Sequence, residues 1–68
     1  MNAMIRVNGR DETLTAATVA DLLRARGIDK PRGVAVALNG AVVPARDWQA
    51  AALSPGDRVE IVKPFGGG

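Results

Sequence analysis

The side chains that most often do chemistry at neutral pH are missing from this sequence. It contains no cysteine and no histidine, which removes thiol nucleophiles, imidazole bases and the usual Cys/His zinc sites. Carboxylates, lysines and hydroxyls remain, but no spacing gathers them into a catalytic set. The segment whose composition points to a reaction is the last one, Lys63-Pro64-Phe65-Gly66-Gly67-Gly68. Pro64 lacks the N–H that sheet pairing needs, and glycine loses more backbone freedom on ordering than any other residue. Such a run is a poor continuation of a packed element.

As a reactive tail the same run makes sense. Without Cβ atoms, Gly66 and Gly67 can be threaded as bare backbone through a narrow channel in another protein. The α-carboxyl of Gly68, with an ordinary pKa of about 3.3–3.7, is ionised at neutral pH. A carboxylate can attack the α-phosphate of a nucleotide and form an acyl-adenylate, whose carbonyl is then open to a sulfur nucleophile. The product of attack by a persulfide would be a thiocarboxylate, with sulfur stored on the main chain of a protein that has no thiol. The chain has no phosphate loop, so it is expected to bind no cofactor itself; ATP and magnesium would belong to the activating enzyme. Phe65, an apolar ring just before the glycines, is expected to contact that partner. The expected catalytic group is thus the Gly68 carboxylate, with no metal site.

Composition bounds the rest. At 68 residues the chain is one domain, and a chain this short buries only about 60% of its unfolded surface. Nine Lys/Arg against seven Asp/Glu give a net charge of +2, but the basic residues are interleaved with acids along the whole sequence. Scatter of this kind reads as a solvated surface, and with one Trp, one Phe and no Tyr there is little for bases to stack on; nucleic acid is not an expected partner. No apolar run approaches the roughly 18 residues of a bilayer span. The Met1-Asn2-Ala3-Met4 start has none of the regions of a signal peptide, so a cytoplasmic location is expected.

The elements that must carry the tail follow from periodicity. Met4-Ile5-Arg6-Val7-Asn8 alternates as a half-buried strand, Asn8-Gly9 is a tight-turn dipeptide, and Glu12–Thr15 returns with Leu14 inward. At Thr18-Val19-Ala20-Asp21-Leu22-Leu23 the period changes. Thr18 is placed to cap a short helix with Val19, Leu22, Leu23 and the stem of Arg26 inward, and Gly27 is placed to end it, with Ile28 folding back on Leu23. Gly33–Leu38 has no charge on either face, which predicts a central strand covered on one side by the helix. Asn39-Gly40 turns the chain into Ala41-Val42-Val43, which Pro44 stops. Arg46–Gln49 predicts one helical turn with Trp48 as its anchor, and Leu53–Asp57 carries turn chemistry in which Asp57 bonds backbone. Arg58-Val59-Glu60-Ile61-Val62 is the last strand. The predicted core is Ile5, Val7, Leu14, Val19, Leu22, Leu23, Val34, Val36, Leu38, Val43, Leu53, Val59 and Ile61. The order ββαβββ predicts an α+β fold of the β-grasp (ubiquitin-like) type, a mixed sheet of about five strands wrapping one helix. The domain is expected to span residues 1–62 and the tail residues 63–68.

In this order of pieces the chain resembles the ThiS family, the ubiquitin-like sulfur carriers of thiamine biosynthesis. The resemblance covers nearly the whole length. It rests on the Met4–Asn8 strand, Thr18-Val-Ala-Asp-Leu-Leu23, Val36-Ala-Leu-Asn-Gly-Ala-Val-Val-Pro44, Trp48, Pro55-Gly-Asp-Arg-Val-Glu-Ile-Val62 and the glycine tail. It implies a protein co-substrate rather than an enzyme. Gly68 would be adenylated by a ThiF-like adenylyltransferase and sulfurated from a cysteine desulfurase or rhodanese-like donor. Its thiocarboxylate would then give sulfur to thiazole synthase, and a carrier that docks with these partners in turn is expected to be a monomer when free. Three other readings use the same fold. One resembles the small subunit of molybdopterin synthase, which also ends in Gly-Gly. A second is a ubiquitin-like modifier joined to lysines, and the third is a β-grasp binding module with no use for the tail.

Overall fold

The computed structural model describes residues 3–63. Strand β1 (Met4–Val7) buries Ile5 and Val7 and exposes Met4 and Arg6. Asn8 and Gly9 follow with φ of 51° and 83°, the left-handed pair that a two-residue hairpin turn requires. Strand β2 (Arg10–Thr13) returns antiparallel, pairing Met4 with Thr13 and Val7 with Arg10. The returning strand stops one residue short of Leu14. That residue instead donates its N–H to the Ala3 carbonyl at 2.8 Å, and its half-buried side chain packs on the core.

Helix α1 (Val19–Ala25) is short, so its ends matter more than its propensity. The first four N–H groups of a helix, counted from the cap, have no partner inside it, and here those of Val19, Ala20 and Asp21 find one, while Leu22 makes the first i→i−4 bond. Asp21 N–H donates to the Thr18 hydroxyl at 3.2 Å and Leu22 N–H to the Thr18 carbonyl at 3.0 Å. Val19 N–H reaches the Ala51 carbonyl at 2.9 Å and Ala20 N–H the Trp48 carbonyl at 3.0 Å. The Arg24 guanidinium, and after it the Thr18 hydrogen bond, hold the Asp21 carboxyl below its ordinary range. At the other end Gly27 takes φ of 79°, donating to Arg24 O at 3.0 Å while Ile28 N–H donates to Leu23 O at 2.9 Å. These two bonds close a Schellman motif. Arg26 departs from the expectation that its stem lines the inner face. It is exposed and pairs with Glu12 of β2, because the inner face past Leu23 is already closed by Ile28.

Strands β3 (Ala35–Leu38), β4 (Ala41–Val42) and β5 (Arg58–Val62) complete one five-stranded sheet in the order β2-β1-β5-β3-β4. This is the expected β-grasp. β5 runs parallel to β1 (Val7 beside Val59) and antiparallel to β3 (Val36 beside Ile61). The expected central strand, β3, is interior, but the middle position belongs to β5. A two-residue β4 leaves little edge open to foreign strands. A 3-10 turn at Ala45–Asp47 then presents Trp48 to the core.

Helix and sheet enclose Ile5, Val7, Val19, Leu22, Leu23, Val36, Leu53, Val59 and Ile61, all buried as expected. Leu14, Val34, Leu38 and Val43 pack round this centre half-buried. Trp48, expected only as a loop anchor, is part of the core at 8% exposure. Its indole N–H donates to the Val43 carbonyl at 2.9 Å, so a large ring is buried without stranding its one polar atom.

Candidate functional site

Phe65, Gly66, Gly67 and Gly68 lie outside the described residues, so the site is described up to its root, Lys63. That root follows directly from β5. Along β5 the alternation puts Val59 and Ile61 into the core and Arg58, Glu60 and Val62 on the open face. The strand is flanked by β1 and β3, so its backbone is bonded on both sides.

Two side chains add to that grip, and both are the asparagines of the hairpin turns. Asn8 Oδ1 accepts the Ile61 N–H at 2.7 Å, and Asn8 Nδ2 donates to the Ile61 carbonyl at 3.3 Å. One carboxamide thus stands in for a strand residue beyond the end of β1. At the opposite end of β5, Asn39 Oδ1 accepts the Arg58 N–H at 2.9 Å while the Asn39 N–H donates to the Arg58 carbonyl at 2.8 Å. Asn39 Nδ2 also donates to Asp57 Oδ1 at 3.0 Å. Asp57 behaves as expected of a turn residue, its Oδ2 accepting the Ser54 N–H at 2.8 Å. The sequence marks both asparagines as turn formers. Their hold on β5 is a second use of the same residues, and the available signal is the residue type, since a carboxamide both donates and accepts.

Two different surfaces border the root. On the open face of the sheet, Val62 (64% exposed) and Val42 (77%) lie with Ala35 and Ala37 in a shallow apolar depression edged by Glu60. At the helix end, the α1–β3 connection brings Ile28, Asp29, Lys30, Arg32 and Val34 to Lys63 around an open groove. Among the described residues no three acidic side chains stand close enough to hold a metal ion. No helix among them is long and apolar enough to cross a membrane. Among the described residues the arrangement is a strand held on both sides that ends at Lys63, with an apolar depression on one side of it and a charged groove on the other.

Comparison with known proteins agrees with this shape. The model of the ThiS family matches residues 5–68. A crystal structure of a thiamine biosynthesis protein (ThiS) from Geobacter metallireducens is 34% identical, with a TM-score of 0.76, over 96% of this chain and 99% of that one. An NMR solution structure of a thiamine biosynthesis protein from the same organism is 35% identical, with a TM-score of 0.76, over 100% of this chain and 88% of the other. No curated protein sequence matches the chain.

Proposed function

Since the chain belongs to the ThiS family, we propose that it is a sulfur carrier of thiamine biosynthesis whose working group is the main-chain carboxylate of Gly68. The observation that carries this reading is a family match that runs through the glycine tail to residue 68, on a fold whose middle strand leads straight into that tail. Sulfur chemistry on a chain without cysteine is consistent with storage on the backbone. The two solved relatives are thiamine biosynthesis proteins, which favours this pathway over the molybdopterin one.

A Gly68 carboxylate oxygen attacks the α-phosphorus of ATP in the active site of a ThiF-like adenylyltransferase, forming a C–O–P anhydride and releasing pyrophosphate. The terminal sulfur of a donor persulfide, carried by a cysteine desulfurase or a rhodanese-like protein, attacks the activated carbonyl and expels AMP, which leaves an acyl disulfide. A second thiol attacks the donor's inner sulfur; the S–S bond breaks, the thiocarboxylate leaves on Gly68, and the two thiols end as a disulfide. Thiazole synthase then takes the sulfur. Magnesium and the proton transfers belong to the enzymes. This chain supplies the acyl group and, through Gly66, Gly67 and Phe65, a segment slim enough to enter and an apolar ring to dock.

Intact-mass spectrometry tests the proposal. With a ThiF-like enzyme, ATP and a sulfur donor, the chain should gain the mass difference of one oxygen exchanged for one sulfur. A variant extended beyond Gly68 should stay unchanged. An unaltered mass with an enzyme shown to be active on another carrier would overturn the reading.

A further inference from the structure

The groove at the helix end of the tail root gathers three cations, Lys30, Arg32 and Lys63, against a single acid, Asp29. All three cations are exposed. None has an ion-pair partner among the described residues, whereas Arg6, Arg24 and Arg26 are paired with Asp11, Asp21 and Glu12. The scattered charge of the sequence is therefore uneven in space. Arg10, Arg46 and Arg58 also have no ion-pair partner among the described residues, but none of them lines this groove, so three of the six unpaired cations stand together where the tail begins. The fold creates this cluster by setting Lys63, at the end of the last strand, beside a loop some thirty residues earlier in the chain.

We infer that this groove is the recognition surface for an acidic rim around the tail channel of the adenylating enzyme. The inference rests on the sulfur-carrier reading and adds which part of the carrier is read, and by what chemistry. Five residues separate Lys63 from the end of the tail, and a fully extended chain spans at most about 3.3–3.6 Å per residue, so the tail reaches no further than about 18 Å. An enzyme that holds the Gly68 carboxylate at its reaction centre therefore holds the mouth of its channel against the surface round Lys63. Cations covered there without counter-charges would lose hydration with nothing in return, so the complementary rim is carboxylate-rich. Cations at the rim of an interface act mainly by raising the rate of productive encounter, and salt weakens them.

The test is ATP–pyrophosphate exchange by the cognate adenylating enzyme, measured against carrier concentration at low and high ionic strength. The carriers are wild type, Lys30→Glu with Arg32→Glu, and a control with the same charge change elsewhere, Arg10→Glu with Arg46→Glu. The groove variant should raise KM by about tenfold at low salt with kcat nearly unchanged, the gap closing toward 1 M salt, where the Debye length is only about 3 Å. The control should shift KM far less, and Lys30→Gln with Arg32→Gln should lie between wild type and the reversed pair. A groove variant with wild-type KM overturns the inference, as does a control that loses as much, because net charge alone would then explain the effect. An inert wild-type carrier would instead overturn the sulfur-carrier reading itself.

Discussion

Replacing Asn8 tests how the last strand is held, and its effect is computable from two independent features of that residue. Asn8→Ala removes the 2.7 Å hydrogen bond from Ile61 N–H and the weaker 3.3 Å bond to the Ile61 carbonyl. A net intramolecular hydrogen bond is worth about 0.5–1.5 kcal/mol, and the longer bond sits at the low end of that range. Asn8 also holds φ of 51°, a left-handed conformation that asparagine tolerates and that costs an ordinary L-residue about 1–2 kcal/mol. Together these predict a loss of about 2–3 kcal/mol, which for a domain of this size lowers Tm by about 8–24 °C. Asn8→Gly separates the two causes, since glycine takes positive φ freely and forfeits only the hydrogen bonds, an expected loss of about 1–1.5 kcal/mol. Urea denaturation of the three proteins gives the ledger, and hydrogen exchange at the Ile61 amide gives the location. If both variants match wild type within about 0.3 kcal/mol, or if Ile61 exchanges no faster in Asn8→Gly, the carboxamide does not secure β5 and the reasoning fails.

Two further outcomes follow from the core and the helix start. Trp48→Phe keeps most of the ring in place but deletes the donor to the Val43 carbonyl, and should cost about 1–2 kcal/mol in thermal or chemical denaturation; a neutral substitution would mean water replaces the indole N–H at no loss. The Asp21 carboxyl has its folded-state pKa depressed, chiefly by Arg24 and then by Thr18. Its contribution to stability is thus fully present above its unfolded value and fades as pH falls through the lowered folded value. Asp21→Asn should flatten that acid limb of the stability–pH curve and leave the neutral region close to wild type apart from a constant offset. An unchanged limb would assign acid sensitivity to other carboxylates.

What could be read from the sequence was whatever is specified locally. Asn-Gly pairs demand left-handed backbone, and both hairpins stand where those dipeptides are. The helix is legible because Thr18 and Gly27 bracket it with chemistry that acts within four residues. Long-range partnership is a different matter. Nothing in the alternation of Arg58–Val62 says that its parallel neighbour is the first strand of the chain, because alternation reports which faces are buried and not what lies alongside. The same gap hides the bonds that Ala51 and Trp48 carbonyls give to the helix N-terminus, made by a segment with no periodicity of its own. Trp48 was ambiguous for a related reason, since one aromatic in a short turn can anchor a loop or fill a core. At the site, the composition of the tail suggests the chemistry proposed for it, whereas the cluster of Lys30, Arg32 and Lys63 exists only once the sheet is closed.

The placement of β5 bears on how so small a domain would serve the tail chemistry proposed for it. A short segment that must enter a channel gains from freedom beyond its root and loses from freedom at the root, because motion there spreads the tail over orientations the channel cannot accept. Fixing an edge strand would leave one side of its backbone open to fraying. A middle strand, bonded to β1 and β3 and clamped by Asn39 at Arg58 and Asn8 at Ile61, is fixed along its length until Val62. The parallel pairing with β1 requires a crossover, and the helix and the second hairpin are that crossover. On this view the whole fold between residues 8 and 58 brings β5 back to the centre of the sheet. Loosening either asparagine clamp should then impair tail activation by more than the accompanying loss of stability explains.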